Sequence, residues 1–292
     1  AARTRLALMS GSVSGATHSE IAYAKINLAL HVRKRLPNGY HELETIFAFL
    51  DQGDVLSVQP GDSLALTISG PFAEGLSETD NLVLQAARAL ANNAHISHGA
   101  HIHLDKRLPV ASGIGGGSAD AAATLRLLNR FWGLDLSLDD LAELAKPLGA
   151  DVPACVLSET SRGSGIGQDL LPVVDDDIRG CSALLVNPLV PVSTADIFAA
   201  WDGVDRGALE GGGLMSMAIK GRNDLQKPAV ALVPTLTDVL QSLEEQHPLL
   251  ARMSGSGATC FALFATLEEA KKAQQHCLDS GNELWTLIGQ MR

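Results

Sequence analysis

The chain is short of positive charge, of aromatic rings and of cysteine. Lysine and arginine number 22 against 33 aspartates and glutamates, a net charge of −11 with histidine neutral. Nucleic-acid binders draw most of their affinity from cations meeting phosphates, so this balance argues against a nucleic-acid partner. It leaves room for a small pocket that takes a phosphorylated metabolite. The four cysteines, Cys155, Cys181, Cys260 and Cys277, are far apart and form no C-x-x-C pair. In a chain this long that argues against a disulfide scaffold and reads as reduced thiols in the cytoplasm. No apolar run reaches the ~18 residues of a membrane helix, so no membrane partner is expected. Residues 1–18 are small and polar and lack the compact apolar core of a secretory signal. They read as an N-terminal extension to which no function is assigned.

What is present excludes disorder. Hydrophobic residues make up 46% of the 292 residues and charged ones 19%, enough for one large or two medium domains with real cores. Glycine is abundant, at 28 residues with no three-residue period. A strand is expected over 20–32, apolar except for Lys25 and Asn27. The Pro37-Asn38-Gly39 turn follows, then segments at 42–50, 54–59 and 63–69 that read as an antiparallel group. Residues 80–93 have helical spacing, with Asp80 or Thr79 as the cap. A strand over 100–106 leads into helices at 118–131 and from Ser137 onward. Beyond a soft, acidic stretch at 160–180, strands are expected at 182–187, 259–264 and 283–288. Helices are expected at 194–201, 229–245 and 267–278. Antiparallel strands early and helices after them indicate an α+β fold.

The most informative segment is Pro109-Val110-Ala111-Ser112-Gly113-Ile114-Gly115-Gly116-Gly117-Ser118-Ala119. It follows a strand and opens an alanine-rich helix. Glycines let the backbone approach a ligand closely, and the first N–H groups of a helix are unpaired at its positive end. Together they make a site suited to di- and triphosphates. The lysine-bearing P-loop pattern and the dinucleotide G-x-G-x-x-G pattern both fail here. A flexible surface loop is the plain alternative.

On these residues the chain resembles the superfamily of galactokinase, homoserine kinase, mevalonate kinase and phosphomevalonate kinase. Its three motifs stand in order: Ala24-Lys25-Ile26-Asn27-Leu28, the loop 109–119, and Met253-Ser254-Gly255-Ser256-Gly257-Ala258-Thr259-Cys260-Phe261. Asn38-Gly39-Tyr40-His41-Glu42-Leu43 and Gly149-Ala150-Asp151-Val152-Pro153 are similar to a branch whose acceptor is a methylerythritol carrying a cytidine diphosphate arm. The resemblance covers roughly residues 20–290. Two small departures, Ala111-Ser112 and Ile114 in the loop, leave its character unchanged. Val-Pro-Ala-Cys after Asp151 replaces an aromatic run common there.

The resemblance implies a two-domain small-molecule kinase with its active-site cleft between the domains, 19–165 binding ATP and 166–292 the acceptor. ATP is the expected phosphoryl donor and Mg²⁺ the expected ion, with Ser118 as a metal contact. Asp151, by residue type either a general base or a helix cap, becomes the catalytic base. Lys25, costly to bury unless paired, becomes its support, the alternative being a lysine that snorkels to the surface. The loop residues Pro109 to Ala119, with Asn81 and Lys106 beside the base, are the expected ATP contacts. Asn81 and Lys106 read equally as a cap and a surface residue. Asn27, Tyr40, His41, Thr194, Phe198, Gly255, Ser256 and Gly257 are expected at the acceptor. From residue type alone Tyr40 and His41 read also as packing. Asn223-Asp224 matches a further dipeptide, structural or adjacent to substrate. His101 and His103 share a strand face, but Ile102 and Leu104 opposite them favour a solvated face over a metal site. The expected partners are small molecules, the assembly a monomer or weak homodimer. The rival functions are another kinase of the superfamily and a nucleotide-binding regulator without catalysis.

Overall fold

Two strands carry most of the site. The first, β1 (His18–Arg35), is apolar on both faces because both are covered. Ile26 and Leu28 turn to one side, and Lys25 and Asn27 to the other. After the turn at Gly39, which has a left-handed φ of +86°, the chain returns as β2 (His41–Gly61), antiparallel to β1 along its whole length. The computed structural model describes residues 18–173 and 177–292. The N-terminal extension, apart from His18, and Asp175 and Asp176 of the acidic stretch lie outside the described residues.

The segments 42–50 and 54–59 are thus one strand, not two. Asp51-Gln52-Gly53-Asp54 looks like a turn, but Asp54 is fully buried and takes hydrogen bonds from the N–H groups of Arg107 and Leu108. The third segment, β3 (Leu64–Ser69), is also corrected. It pairs in parallel with β4 (Gly99–Asp105), which lies between it and β2. The helix α1 (Leu82–Asn93) carries the chain from one to the other, and a crossover of that kind delivers parallel strands. A hairpin of β5 (Ser161–Ser164) and β6 (Asp169–Pro172) completes this sheet on β2. On β4, Ile102 and Leu104 are buried, while His101 and His103 bond to hydroxyls of Thr67 and Ser69. Among the described residues no cluster of histidine, cysteine or carboxylates is placed to hold a metal ion.

Against the sheet pack α1, α2 (Gly116–Phe131), α3 (Leu138–Ala145) and α4 (Val152–Leu157), with Ala122, Leu125 and Leu128 of α2 buried as their spacing predicts. Ser137 and Asp140 form the expected capping box on α3.

A second, antiparallel sheet runs β10 (Trp285–Gln290), β7 (Ser182–Asn187), β9 (Cys260–Phe264) and β8 (Leu250–Met253). Its helices are α5 (Thr194–Ala199), α6 (Leu214–Lys220), α7 (Gln226–Leu232), α8 (Thr235–Glu244) and α9 (Leu267–Asp279). The single helix expected over 229–245 is broken at Pro234. Proline lacks the N–H a helix needs and drives the residue before it to extended backbone, here Val233 at φ −131° and ψ 82°. Ile26, Leu28, Ile46 and Ala48 meet Leu185, Phe261 and Leu263 in a shared core between the sheets. That core leaves the Lys25 face of β1 turned toward the helices and the cavity. No helix among the described residues is long and apolar enough to cross a membrane.

Candidate active site

Lys25 and Asp151 are 126 residues apart and meet at 2.8 Å, ammonium to carboxylate. Lys25 is 3% exposed. A lysine buried that deeply needs its protons satisfied. One goes to Asp151 Oδ2 and a second to Asn27 Oδ1 at 3.0 Å, while the ring of Phe47 lies 5.1 Å away. Lys25 does not snorkel. Asp151 stands at the head of α4, yet its side chain makes no cap bond there. The carboxylate is turned to Lys25 and stays 36% exposed, into a cavity of about 710 Å³.

One end of that cavity is the glycine loop. Gly113 and Gly115 have φ of +76° and +68°. A Cβ at Gly113 would come within 2.5 Å of the Ser254 carbonyl oxygen, and one at Gly115 within 2.9 Å of Lys25 Cε. Only glycine fits either place. Gly115 heads α2 with no side chain capping it, so the first N–H groups of that helix stay free for a ligand. Gly116, Gly117 and Ser118 line the cavity there, with Ala111 and Ser112 before them. The turn at 254–257 seats against the loop, with Ser254 Oγ donating to the Gly113 carbonyl and the Thr259 N–H to that of Ser112. Gly255 and Ser256 reach the cavity wall, whereas Gly257 stays behind them. Asn223 holds this turn through its amide nitrogen on the Met253 and Gly255 carbonyls, and Asp224 accepts from the Val32 N–H. Neither lines the cavity.

The other end carries Tyr40, His41, Thr194 and Phe198 together with Arg35. The His41 ring lies 4.9 Å from Phe198, tilted by 33°, and edge-on to Trp201 at 5.7 Å. Tyr40 stands clear of both, 58% exposed. Burial and the Arg35 guanidinium lower the His41 pKa below its ordinary value. Arg35 Nε donates to His41 Nε2 at 3.3 Å, which leaves the ring proton on Nδ1. Thr194 reaches across to Ser256, hydroxyl to hydroxyl at 2.8 Å.

Several expected residues are elsewhere. Val110 is exposed, Pro109, Ile114 and Ala119 are buried, and none of the four lines the cavity. Asn81 caps α1, the position expected of Asp80 or Thr79, with its Oδ1 accepting from the Val83 N–H at 2.9 Å. Lys106 is 3% exposed and sits under Gly116, between Asp54 and Asp120 at 2.6 Å each. Neither lines the cavity. Conversely Arg35, Thr45 and Phe47 line it and carry no sequence motif. Leu43, Thr45 and Phe47 alternate along β2, a period of two that puts them on one face and was the available signal.

Residues 81–159 match the GHMP kinases N terminal domain and residues 208–282 the GHMP kinases C terminal domain. A 4-diphosphocytidyl-2-C-methyl-D-erythritol kinase of Rhizorhabdus wittichii is 49% identical over 278 residues, covering 94% of each chain. A crystal structure of 4-(cytidine 5'-diphospho)-2C-methyl-D-erythritol kinase superposes with a TM-score of 0.76 at 32% identity, over 94% of this chain and 98% of that one. The homoserine kinase of Cytophaga hutchinsonii shares the fold, with a TM-score of 0.74 at 18% identity over 97% of each chain. The chain belongs to the GHMP kinases and, within them, to the 4-diphosphocytidyl-2-C-methyl-D-erythritol kinases.

Proposed function

We propose that the chain transfers the γ-phosphoryl group of ATP to the 2-hydroxyl of 4-diphosphocytidyl-2-C-methyl-D-erythritol, in the non-mevalonate route to isoprenoid precursors. The observation that carries this is the Lys25–Asp151 pair, set in one cavity between a glycine-lined helix start and an aromatic wall. Phosphoryl transfer asks mainly for positioning and charge stabilisation. The triphosphate lies along Gly113–Ser118, where backbone N–H groups and the end of α2 favour anions. Asp151 takes the proton of the acceptor hydroxyl as its oxygen bonds to the γ-phosphorus. The bond from that phosphorus to the bridging oxygen breaks and ADP leaves. Lys25 holds the Asp151 carboxylate in place through their 2.8 Å contact and offsets charge gathering on the transferred group.

A divalent ion fits this arrangement in a limited way. Ser118 supplies one protein oxygen at the cavity wall. The small protein donor set suits Mg²⁺, which keeps waters and takes phosphate oxygens as ligands. When bound, the ion neutralises part of the triphosphate charge.

At the far wall the cytosine ring stacks against Tyr40 and Phe198, and the neutral His41 presents an N–H to its edge. Thr194, Ser256 and Asn27 lie between the base and the reacting hydroxyl. Asn81 and Lys106 serve the nucleotide end indirectly, by fixing the start of α1 and the underside of the loop. In this reading 19–165 binds ATP and 166–292 the acceptor, in a cytoplasmic monomer or weak homodimer with no nucleic-acid partner.

Coupled measurement of ADP release tests it. Release should depend on the cytidyl acceptor and stay at background with homoserine or mevalonate. ADP release that ignores the cytidyl acceptor overturns the reading.

A further inference from the structure

Lys25 ends a chain of three buried polar side chains. Lys25 donates to Asn27 Oδ1, and Asn27 Nδ2 donates in turn to Thr45 Oγ1 at 2.8 Å. Thr45 Oγ1 lies 2.7 Å from the Ala29 carbonyl oxygen. All three side chains are almost wholly buried, at 3%, 3% and 1% exposure.

A hydroxyl has one proton and two lone pairs, and a carbonyl oxygen only accepts. The single proton of Thr45 is therefore spent on Ala29, and toward Asn27 Thr45 can only accept. An amide facing a pure acceptor must present its NH₂ group, so its oxygen faces the other way, to Lys25. The ammonium has three protons and no lone pair. With two committed to Asn27 and Asp151, the third is the one free for the cavity. Were the amide reversed, its NH₂ would confront an ammonium, and Lys25 would have to turn from that contact.

Thr45 has little freedom itself. β2 is paired on both edges at this residue, with Leu30 on β1 and Gly163 on β5. A Cβ on Gly163 would lie 3.0 Å from Thr45 Cγ2. The bare glycine makes room for the methyl and thereby for the hydroxyl's direction.

We propose that Thr45 is a positioning residue whose hydroxyl sets which way the Asn27 amide faces and, through it, where Lys25 aims its protons. The proposal rests on the assignment of Lys25 and Asp151 to the reaction.

The test is steady-state kinetics of T45V and T45S with ATP and the cytidyl acceptor, beside thermal unfolding. Valine keeps the shape and removes the acceptor, and serine keeps the hydroxyl. The expected result is a roughly 10- to 100-fold loss of kcat in T45V, of the order a misaligned catalytic group produces. KM for ATP should hold in that variant, and T45S should recover most of kcat. Wild-type kcat in T45V overturns the proposal, and so does a T45S as slow as T45V, which would make the methyl group the cause. If no hydroxyl-free variant folds while T45S is active, the hydroxyl serves folding and the proposal fails. A wild-type protein inert toward the cytidyl acceptor would instead overturn the kinase reading itself.

Discussion

Two lysines in this chain are equally buried, at 3% exposure, and do opposite things. Lys106 lies between two buried carboxylates, Asp54 and Asp120, and has no face on the cavity. Lys25 has one carboxylate, itself 36% exposed, and a neutral amide. The first arrangement is closed: its cation is matched inside the protein, and carboxylates are in excess. The second is open, because one proton and one carboxylate face a space that a substrate can enter. Burial of a lysine therefore marks a costly group, and the exposure of its partners tells whether that cost serves stability or chemistry.

The contrast can be broken at either lysine. The largest effect is expected at the open pair. Asp151→Asn removes the proton acceptor and should lower kcat by about 10²- to 10⁴-fold, the usual contribution of a general base. Calorimetric titration of an ATP analogue should show the phosphate loop still binding. Turnover near the wild-type rate in D151N would end the general-base assignment.

At the closed pair the effect should appear in stability. Lys106→Met leaves Asp54 and Asp120 buried without their cation, and breaking such a pair costs about 3–5 kcal/mol. Urea unfolding measures this, and a midpoint equal to wild type would contradict it. The same cluster makes stability depend on pH. Burial pushes the Asp120 carboxyl up to about 7, although Lys106 and its hydrogen bond pull the other way. The unfolded carboxyl sits near ~3.9. Between those values the folded protein holds more of the proton than the unfolded chain does, so stability should fall as pH rises from about 4 to about 7. D120N should flatten that slope, and an unchanged slope would remove Asp120 as its source.

A smaller effect is expected at the aromatic wall, which neither lysine touches. Phe198→Ala should raise KM for the cytidyl acceptor about 10-fold, as loss of one base-stacking ring does, and leave KM for ATP unchanged. A shift in KM for ATP instead would place the ring at the wrong end of the cavity.

Much of this was readable from the chain, and the unreadable part has a common cause. The glycine loop, the capping box at Ser137 and the strand at 182–187 are local patterns, and they form where expected. Asp151 and Lys25 emerged because a charged residue in an apolar run is conspicuous. Lys106 stands between Asp105 and Arg107 and so gives no such signal, and the carboxylates that occupy it lie 52 and 14 positions away. The alternation Leu43, Thr45, Phe47 gives Thr45 a face of β2 but no role; the role comes from the register with β1 and from Gly163 across the sheet. Short elements such as α4 and β8 are likewise made by packing, being too brief for periodicity to reveal.

The most direct measurement is proton-coupled phosphorus NMR of the product formed from ATP and the cytidyl acceptor. The carbon bearing the 2-hydroxyl also carries the methyl group and has no hydrogen. A phosphate placed there shows no three-bond coupling to a proton on its ester carbon, so the new monoester resonance should be a singlet. A doublet or triplet would put the phosphate on a different hydroxyl, and no new resonance at all would contradict the account.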